Sequence, residues 1–152
     1  MSFNLAVILS ETAKSSPDKP AAVFTGGRLT YRQLDQESDR LAATLAATGI
    51  KPGDPVALQL PNIPQFLISY FGILKCGGIV VPLSVLLKAP EVAFHLGDSG
   101  ARILITWEGV LDEAGKGGRG RRPRPGVCRG PRGRAGGDHA LRAAAGRRGT
   151  AL

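Results

Sequence analysis

Between Thr30 and Thr106 the apolar residues switch repeatedly between a helical spacing and short unbroken runs, and this alternation constrains the fold more than any other property of the chain. The string TYRQ at Thr30 has the form of a capping box, in which the threonine hydroxyl and the Gln33 side chain each serve the other's amide. Leu34, Leu41 and Leu45 then fall on one helical face, and Gly49 closes the helix with Pro52 behind it. After the turn KPGD, Val56 to Leu60 reads as a short buried strand. Asn62 is placed to cap a helix whose Phe66, Tyr70, Ile73 and Leu74 share a face, and Gly77-Gly78 ends it. Ile79 to Val81 gives a second strand. Lys88-Ala89-Pro90-Glu91 starts another helix, with Val92 and Leu96 inward; Asp98-Ser99-Gly100 ends it, and Ala101 to Thr106 is a strand again. Helix and strand in alternation predict an α/β fold, helices packed on a mainly parallel sheet, with ligands beyond the carboxyl ends of the strands.

Ahead of this region, Ser2 can cap a first helix with Leu5, Ile8 and Leu9 on one face, stopped at Ser15-Ser16-Pro17. Ala21 to Phe24 and Arg28 to Leu29 flank Thr25-Gly26-Gly27 and predict a hairpin. The run from Phe66 to Leu87 is long and apolar enough to suggest a membrane span. Lys75 at its middle, Gly77-Gly78 and Pro82 divide it instead into two buried elements joined by a turn, so no transmembrane segment is expected. No positive residue precedes the apolar run at the amino terminus, which argues against a secretory signal.

The formal charge of +8 is unevenly distributed. Residues 1–115 hold 9 Lys and Arg against 11 Asp and Glu, whereas residues 116–152 hold 11 against 1, so the basic character belongs to the last stretch. There 10 of 37 residues are glycine and 10 are arginine, with no apolar period of two or 3.6, and no packed element is licensed. Cys76 and Cys128 form no C-x-x-C pair; neither a zinc site nor a disulfide framework is suggested, and a reducing cytoplasm fits.

Chemistry-bearing motifs are few. The sequence has no G-x-x-x-x-G-K-[ST] loop, no G-x-G-x-x-G after a strand, no G-x-S-x-G and no H-E-x-x-H. His95, Asp98 and Ser99 lie close together, but at the last turn of a helix and its cap such residues satisfy backbone groups. Cys76, at a glycine-terminated helix end, reads as a small buried hydrophobe, and Lys75 as a snorkelling or dipole-satisfying residue. No catalytic, cofactor-binding or metal-ligating residue is assigned.

Five segments in order, LTYRQL (Leu29 to Leu34), GDPVAL (Gly53 to Leu58), Asn62 to Phe66, GILKCGGIVVPL (Gly72 to Leu83) and DSGARILIT (Asp98 to Thr106), closely resemble the amino-terminal part of the AMP-dependent synthetase and ligase family. The likeness leans towards its fatty-acid CoA ligases. The resemblance implies a partial N-terminal subdomain of an adenylate-forming enzyme over residues 1–112. It also implies a two-step reaction, in which a fatty acid and ATP give an acyl-adenylate and pyrophosphate, and coenzyme A then displaces AMP. Pairing two anions in the first step calls for Mg²⁺ and a phosphate-holding loop. In the family a Ser/Thr/Gly-rich loop ending in Pro-Lys-Gly and an aromatic-Gly-x-Thr-Glu segment come later in the chain, and neither is matched here. The chain alone is therefore expected to be inactive, with ATP, Mg²⁺ and coenzyme A belonging to the parent family.

Residues 113–152 are expected to form a disordered Arg/Gly/Pro/Ala-rich tail. Glycine and arginine codons shifted by one base begin with G, and from Gly118 the shifted frame can spell a helix end and an apolar strand; this points to out-of-frame translation from about Gly117. The alternatives are a native basic tail that contacts nucleic acid through residues 117–149, weakened by the absence of aromatics after Trp107, or a scaffold completed in trans. A half-covered sheet with an open edge would favour aggregation.

Overall fold

The computed structural model describes residues 4–110 and two further two-residue strands, Cys128–Arg129 and Arg142–Ala143. Ser2, the expected first cap, lies outside the described residues. Asn4 takes that role: its Oδ1 accepts from the Ala6 amide at 2.9 Å, while its Nδ2 donates to the Leu74 carbonyl at 2.7 Å. Helix α1 (Ala6–Ser15) buries Ala6 and Leu9, whereas Leu5 and Ile8 are 47% and 54% exposed. The expected face of Leu5, Ile8 and Leu9 narrows because α1 meets the fold along one line, where Leu9 packs with Leu34 and Ile68. Ile8 sits about 100° round the helix from that line, and Leu5 precedes the first turn.

The hairpin forms as expected, one residue tighter. Strands β1 (Pro20–Phe24) and β2 (Gly27–Thr30) pair antiparallel with Phe24 opposite Gly27, so Gly27 belongs to the strand and Thr25-Gly26 makes the turn. Only Gly26 needs positive φ there, at 99°. Thr30 caps α2 (Tyr31–Ala47) with the full capping box: the Gln33 amide donates to Thr30 Oγ1 at 3.3 Å, and the Thr30 amide donates to Gln33 Oε1 at 2.9 Å. Leu34, Ser38, Leu41 and Leu45 make its buried face.

Strands β3 (Pro55–Gln59), β4 (Ile79–Pro82) and β5 (Ile103–Thr106) form a parallel sheet in the order β4-β3-β5. Between them run α3 (Pro64–Lys75) and α4 (Ala89–Ser99). The cap of α3 is Ile63 rather than the expected Asn62. Pro64 explains this, since a residue before proline avoids the α region, and Ile63 accordingly sits extended at φ −121°, ψ 160°. The last strand starts at Ile103, two residues later than expected, although the Arg102 amide already donates to the Pro55 carbonyl at 3.1 Å.

The chain moves from β3 to β4 on one side and returns across β3 to β5, so right-handed crossovers require α3 and α4 to lie on opposite faces. The two cores agree. Val56, Leu58 and Ile105 pack with Ile73, Leu41 and Leu45 on the face carrying α2 and α3, whereas Ala57 and Leu104 pack with Val92 and Leu96 of α4. No helix among the described residues is long and apolar enough to cross a membrane. The disorder and out-of-frame origin expected for residues 113–152, and the nucleic-acid contact expected through residues 117–149, fall outside the described residues except at β6 (Cys128–Arg129) and β7 (Arg142–Ala143). These two pair antiparallel, a short ladder that composition did not predict.

Helices α2 and α3 approach closely because small residues line the contact: Ser38, Ser69 and Gly72 are buried there. A Cβ on Gly72 would meet three side-chain atoms of Leu41 at 2.9–3.0 Å, whereas one on the exposed Gly97 of α4 would meet nothing within 4 Å. The two glycines should therefore answer alanine with opposite signs. Gly97→Ala is expected to stabilise by about 0.5–1 kcal/mol through helix propensity. Gly72→Ala gains the same propensity but overpacks the helix contact, for a net loss of about 1–2 kcal/mol in urea unfolding.

Candidate functional site

In an open parallel sheet, ligands sit outside the carboxyl ends of strands whose connections leave to opposite faces. Here those strands are β3 and β4. Three loops meet at that end: Leu60 to Ile63 after β3, Leu83 to Lys88 after β4, and Trp107 with the 3₁₀ turn Glu108–Val110 after β5. Gln59, the last residue of β3, is fully buried and spans the crevice, its Nε2 donating to the Ser84 carbonyl at 3.0 Å. Thr106, equally buried at the end of β5, directs its hydroxyl to Gln59 Oε1 at 3.4 Å, long for such a bond. The Leu83 amide donates to the Leu58 carbonyl at 2.9 Å and carries the ladder past Pro82.

The residues that brace this end of the sheet, Gln59, Thr106 and the Ser84 carbonyl, are polar but neutral. An amide, a hydroxyl and backbone carbonyls can brace loops and shape a wall; they supply neither a nucleophile with its base nor a site for a cation. Among the described residues, no group of three or more His, Cys, Asp or Glu is placed to hold a metal ion.

The residues weighed individually from sequence are not brought together. Ser99 Oγ donates to the His95 carbonyl at 2.6 Å and accepts from the Ala101 amide at 3.3 Å, with Gly100 in the left-handed region at φ 66°. These are helix-end bonds, as expected. The His95 ring meets Phe94 edge-on, at 5.5 Å between centroids. Cys76 is half-buried against the α3-side core, its thiol directed to the Ile73 carbonyl at 3.1 Å, and burial pushes its pKa up, away from the activated range.

Two charged clusters lie away from the carboxyl ends. Lys75 Nζ donates to Asp35 Oδ1 at 2.6 Å, to the Asp35 carbonyl at 2.8 Å and to Asp39 Oδ1 at 2.7 Å; its side chain is 9% exposed. Ser10 of α1 donates to the same Asp35 oxygen at 3.1 Å, so one carboxylate joins α1, α2 and α3. Sequence reading missed this pair, although a signal was available: Asp35 and Asp39, four apart on one helix, repel each other and call for a cation. At the amino ends of the strands, Asp54 Oδ2 accepts from the Lys51 amide and from Arg102 Nη1, both at 2.9 Å. The Lys51 amide bond and the Arg102 guanidinium hold the Asp54 carboxyl below its ordinary pKa.

The parts on view are thus a wall and its braces, and comparison with known proteins gives them a context. The family described as AMP-binding enzyme matches residues 9–137, most of the chain. The chain belongs to the AMP-binding enzyme family. Over 110 residues it is 39% identical to a long-chain-fatty-acid–CoA ligase of Bacillus subtilis (strain 168), a match covering 72% of this chain and 20% of the relative. Bacitracin synthase 3 of Bacillus licheniformis is 36% identical over 104 residues, covering 68% of this chain and 2% of that one. Among solved structures, the N-terminal domain of FACL13 from Mycobacterium tuberculosis superposes with a TM-score of 0.68 at 38% identity, over 73% of this chain and 30% of that one. The chain therefore spans about a fifth of the length of the ligase it matches. The five segments that resembled the family fall on the β2–α2 junction, β3, the start of α3, the α3–β4 turn and the α4–β5 turn. They trace the scaffold.

Two substitutions separate the charged clusters. Lys75→Met leaves Asp35 and Asp39 without their cation and should cost about 2–3 kcal/mol, below the roughly 3–5 of a fully buried pair because Asp39 stays wet. Adding Asp35→Asn and Asp39→Asn should recover most of that loss. For Asp54, the folded pKa lies below the unfolded one, so its stabilisation is present above the unfolded value of about 4 and disappears as pH falls through the folded value. The denaturant midpoint of Asp54→Asn should sit below wild type by a constant amount above about pH 5, and the gap should close on further acidification.

Proposed function

We propose that residues 1–112 are the amino-terminal scaffold of a cytoplasmic ATP-dependent acid–thiol ligase, an enzyme joining a fatty acid to coenzyme A through an acyl-adenylate. The observation that carries this reading is the 39% identity over 110 residues to a long-chain-fatty-acid–CoA ligase. The carboxyl-end geometry supports the scaffold role: Gln59, Thr106 and the Ser84 carbonyl brace the loops around the switch point without offering a group that could transfer a proton or hold a phosphate. The sequence holds no Ser/Thr/Gly-rich loop ending in Pro-Lys-Gly, so the 152-residue chain by itself does not activate a carboxylate.

On this reading the reaction needs ATP with Mg²⁺ and coenzyme A, bound by parts of the ligase that this chain does not contain. The role of the present residues is to hold the loop after β3 and the loop after β4 at fixed separation, which positions any group that docks there.

The test has two arms. The 152-residue chain with Mg·ATP, a long-chain fatty acid and labelled pyrophosphate should show no exchange above the protein-free rate; exchange above it would overturn the inactivity. A chimera in which residues 1–110 replace the matched segment of the Bacillus subtilis ligase should retain exchange within about tenfold of the parent. A folded chimera without exchange would overturn the scaffold assignment.

A further inference from the structure

Strand β5 lies at the edge of its sheet yet is buried like a central strand. Among the described residues it pairs only with β3, but Leu104, Ile105 and Thr106 are each 1% exposed or less. At the opposite edge, β4 leaves Ile79 54% exposed and Pro82 exposed as well. The inner side of β5 is occupied by β3, and its two faces are covered by the α3-side core around Ile103 and Ile105 and the α4-side core around Leu104. What remains to be covered is the outer edge.

The polar groups on that edge can be named. In a parallel strand, alternate residues point their amides to one neighbour and then to the other. The Asp54 and Leu58 carbonyls of β3 accept from Ile79 and Leu83 on the β4 side, so the groups of Pro55, Ala57 and Gln59 face β5; with Val56 opposite Ile103 and Leu58 opposite Ile105, the amides of Ile103 and Ile105 face β3 and those of Leu104 and Thr106 face outwards. Left open, such a row is a template for pairing with another chain. Strand β6 lies beside β5, with Cα atoms within 8 Å, although it does not enter the same ladder. β7 pairs antiparallel with β6, and the family match runs through both Cys128 and Arg129 to residue 137.

We propose that the outer edge of β5 is a docking edge for the chain's own segment at Cys128–Arg129, which lies along it as the outer cover of the sheet. Strand β6 thereby covers the edge of the α/β body, and its backbone shields the Leu104 and Thr106 amides from water. This inference is independent of the ligase reading, because it concerns only how this chain closes its own sheet.

Amide hydrogen exchange by NMR on the full 152-residue chain tests it. The amides of Leu104 and Thr106 should exchange within about tenfold of those of Ile103 and Ile105. Exchange at Leu104 and Thr106 about a hundredfold faster than at their neighbours, as for a solvent-open edge, overturns the proposal. The double variant Cys128→Pro/Arg129→Pro removes the amides of β6 and leaves the body intact. It should speed exchange at Leu104 and Thr106 at least about tenfold while Ile103 and Ile105 hold. Unchanged protection at Leu104 and Thr106 would place the cover elsewhere, and equal loss at all four amides would show no edge-specific cover; either result overturns the assignment to β6.

Discussion

Strand β3 is the constraint on which the rest of the structure depends. Among the described strands it alone has a neighbour on both edges and a core on both faces, and Val56, Ala57 and Leu58 are fully buried. An unbroken apolar run is what such a position requires, since a strand covered on both sides has no solvent face to alternate with. The size of each side chain then matches the face it serves. Val56 and Leu58 meet the broad core beneath α2 and α3, while Ala57 leaves room for Val92 and Leu96 of the single helix on the other side. Gln59 continues the run with a polar side chain in the same burial. Its amide must find partners where water is absent, and the Ser84 carbonyl supplies one. The crevice at the carboxyl end is thus crossed by a bond that exists because β3 is central.

The helices on the α3 face are joined by both an apolar seam and charge. Leu34, Leu41 and Leu45 of α2 pack with Ile68 and Ile73 of α3, and Gly72 lets Leu41 approach the α3 backbone closely. Lys75 adds to this from the last turn of α3, where a cation also favours the helix dipole, by entering between two carboxylates that would otherwise repel. Desolvation makes this arrangement sensitive to the loss of either sign. The Ser69 hydroxyl, buried on α3, has no hydrogen-bond partner among the described residues, so this contact gives up part of its polar satisfaction to close approach.

The elements legible in the sequence were those whose signals are local. Thr30 and Gln33 lie within one turn of each other, and the capping box formed as read; Gly77-Gly78 and Gly100 ended their helices as read. The misreadings came where a neighbour decided. Asn62 is a good cap by type, yet Pro64 fixed the preceding residue as extended and moved the start to Ile63. Leu5 and Ile8 are apolar at helical spacing, yet only the width of the surface beneath α1 determines how many such positions are buried. The contacts of Lys75 with Asp35 and Asp39 span 40 and 36 residues, and that of Gln59 with Ser84 spans 25, so no window on the chain contains them. The family itself was legible because five short segments keep their order, and each sits at a turn or on a buried strand where few residue types are tolerated.

The matches to a long-chain-fatty-acid–CoA ligase and to bacitracin synthase 3, at 39% identity over 110 residues and 36% over 104, show that enzymes of different names resemble this chain almost equally. A likeness spread so evenly belongs to the fold rather than to one reaction. The part of the fold on view is mechanical: ion pairs and tight turns at the amino ends of the strands, neutral braces at the carboxyl ends, and two helices on opposite faces that fix the separation of the loops. A neutral brace suits that role better than a charged one. Gln59 and Thr106 are buried where an unpaired charge would be costly, and an amide and a hydroxyl tie the strand ends together without one.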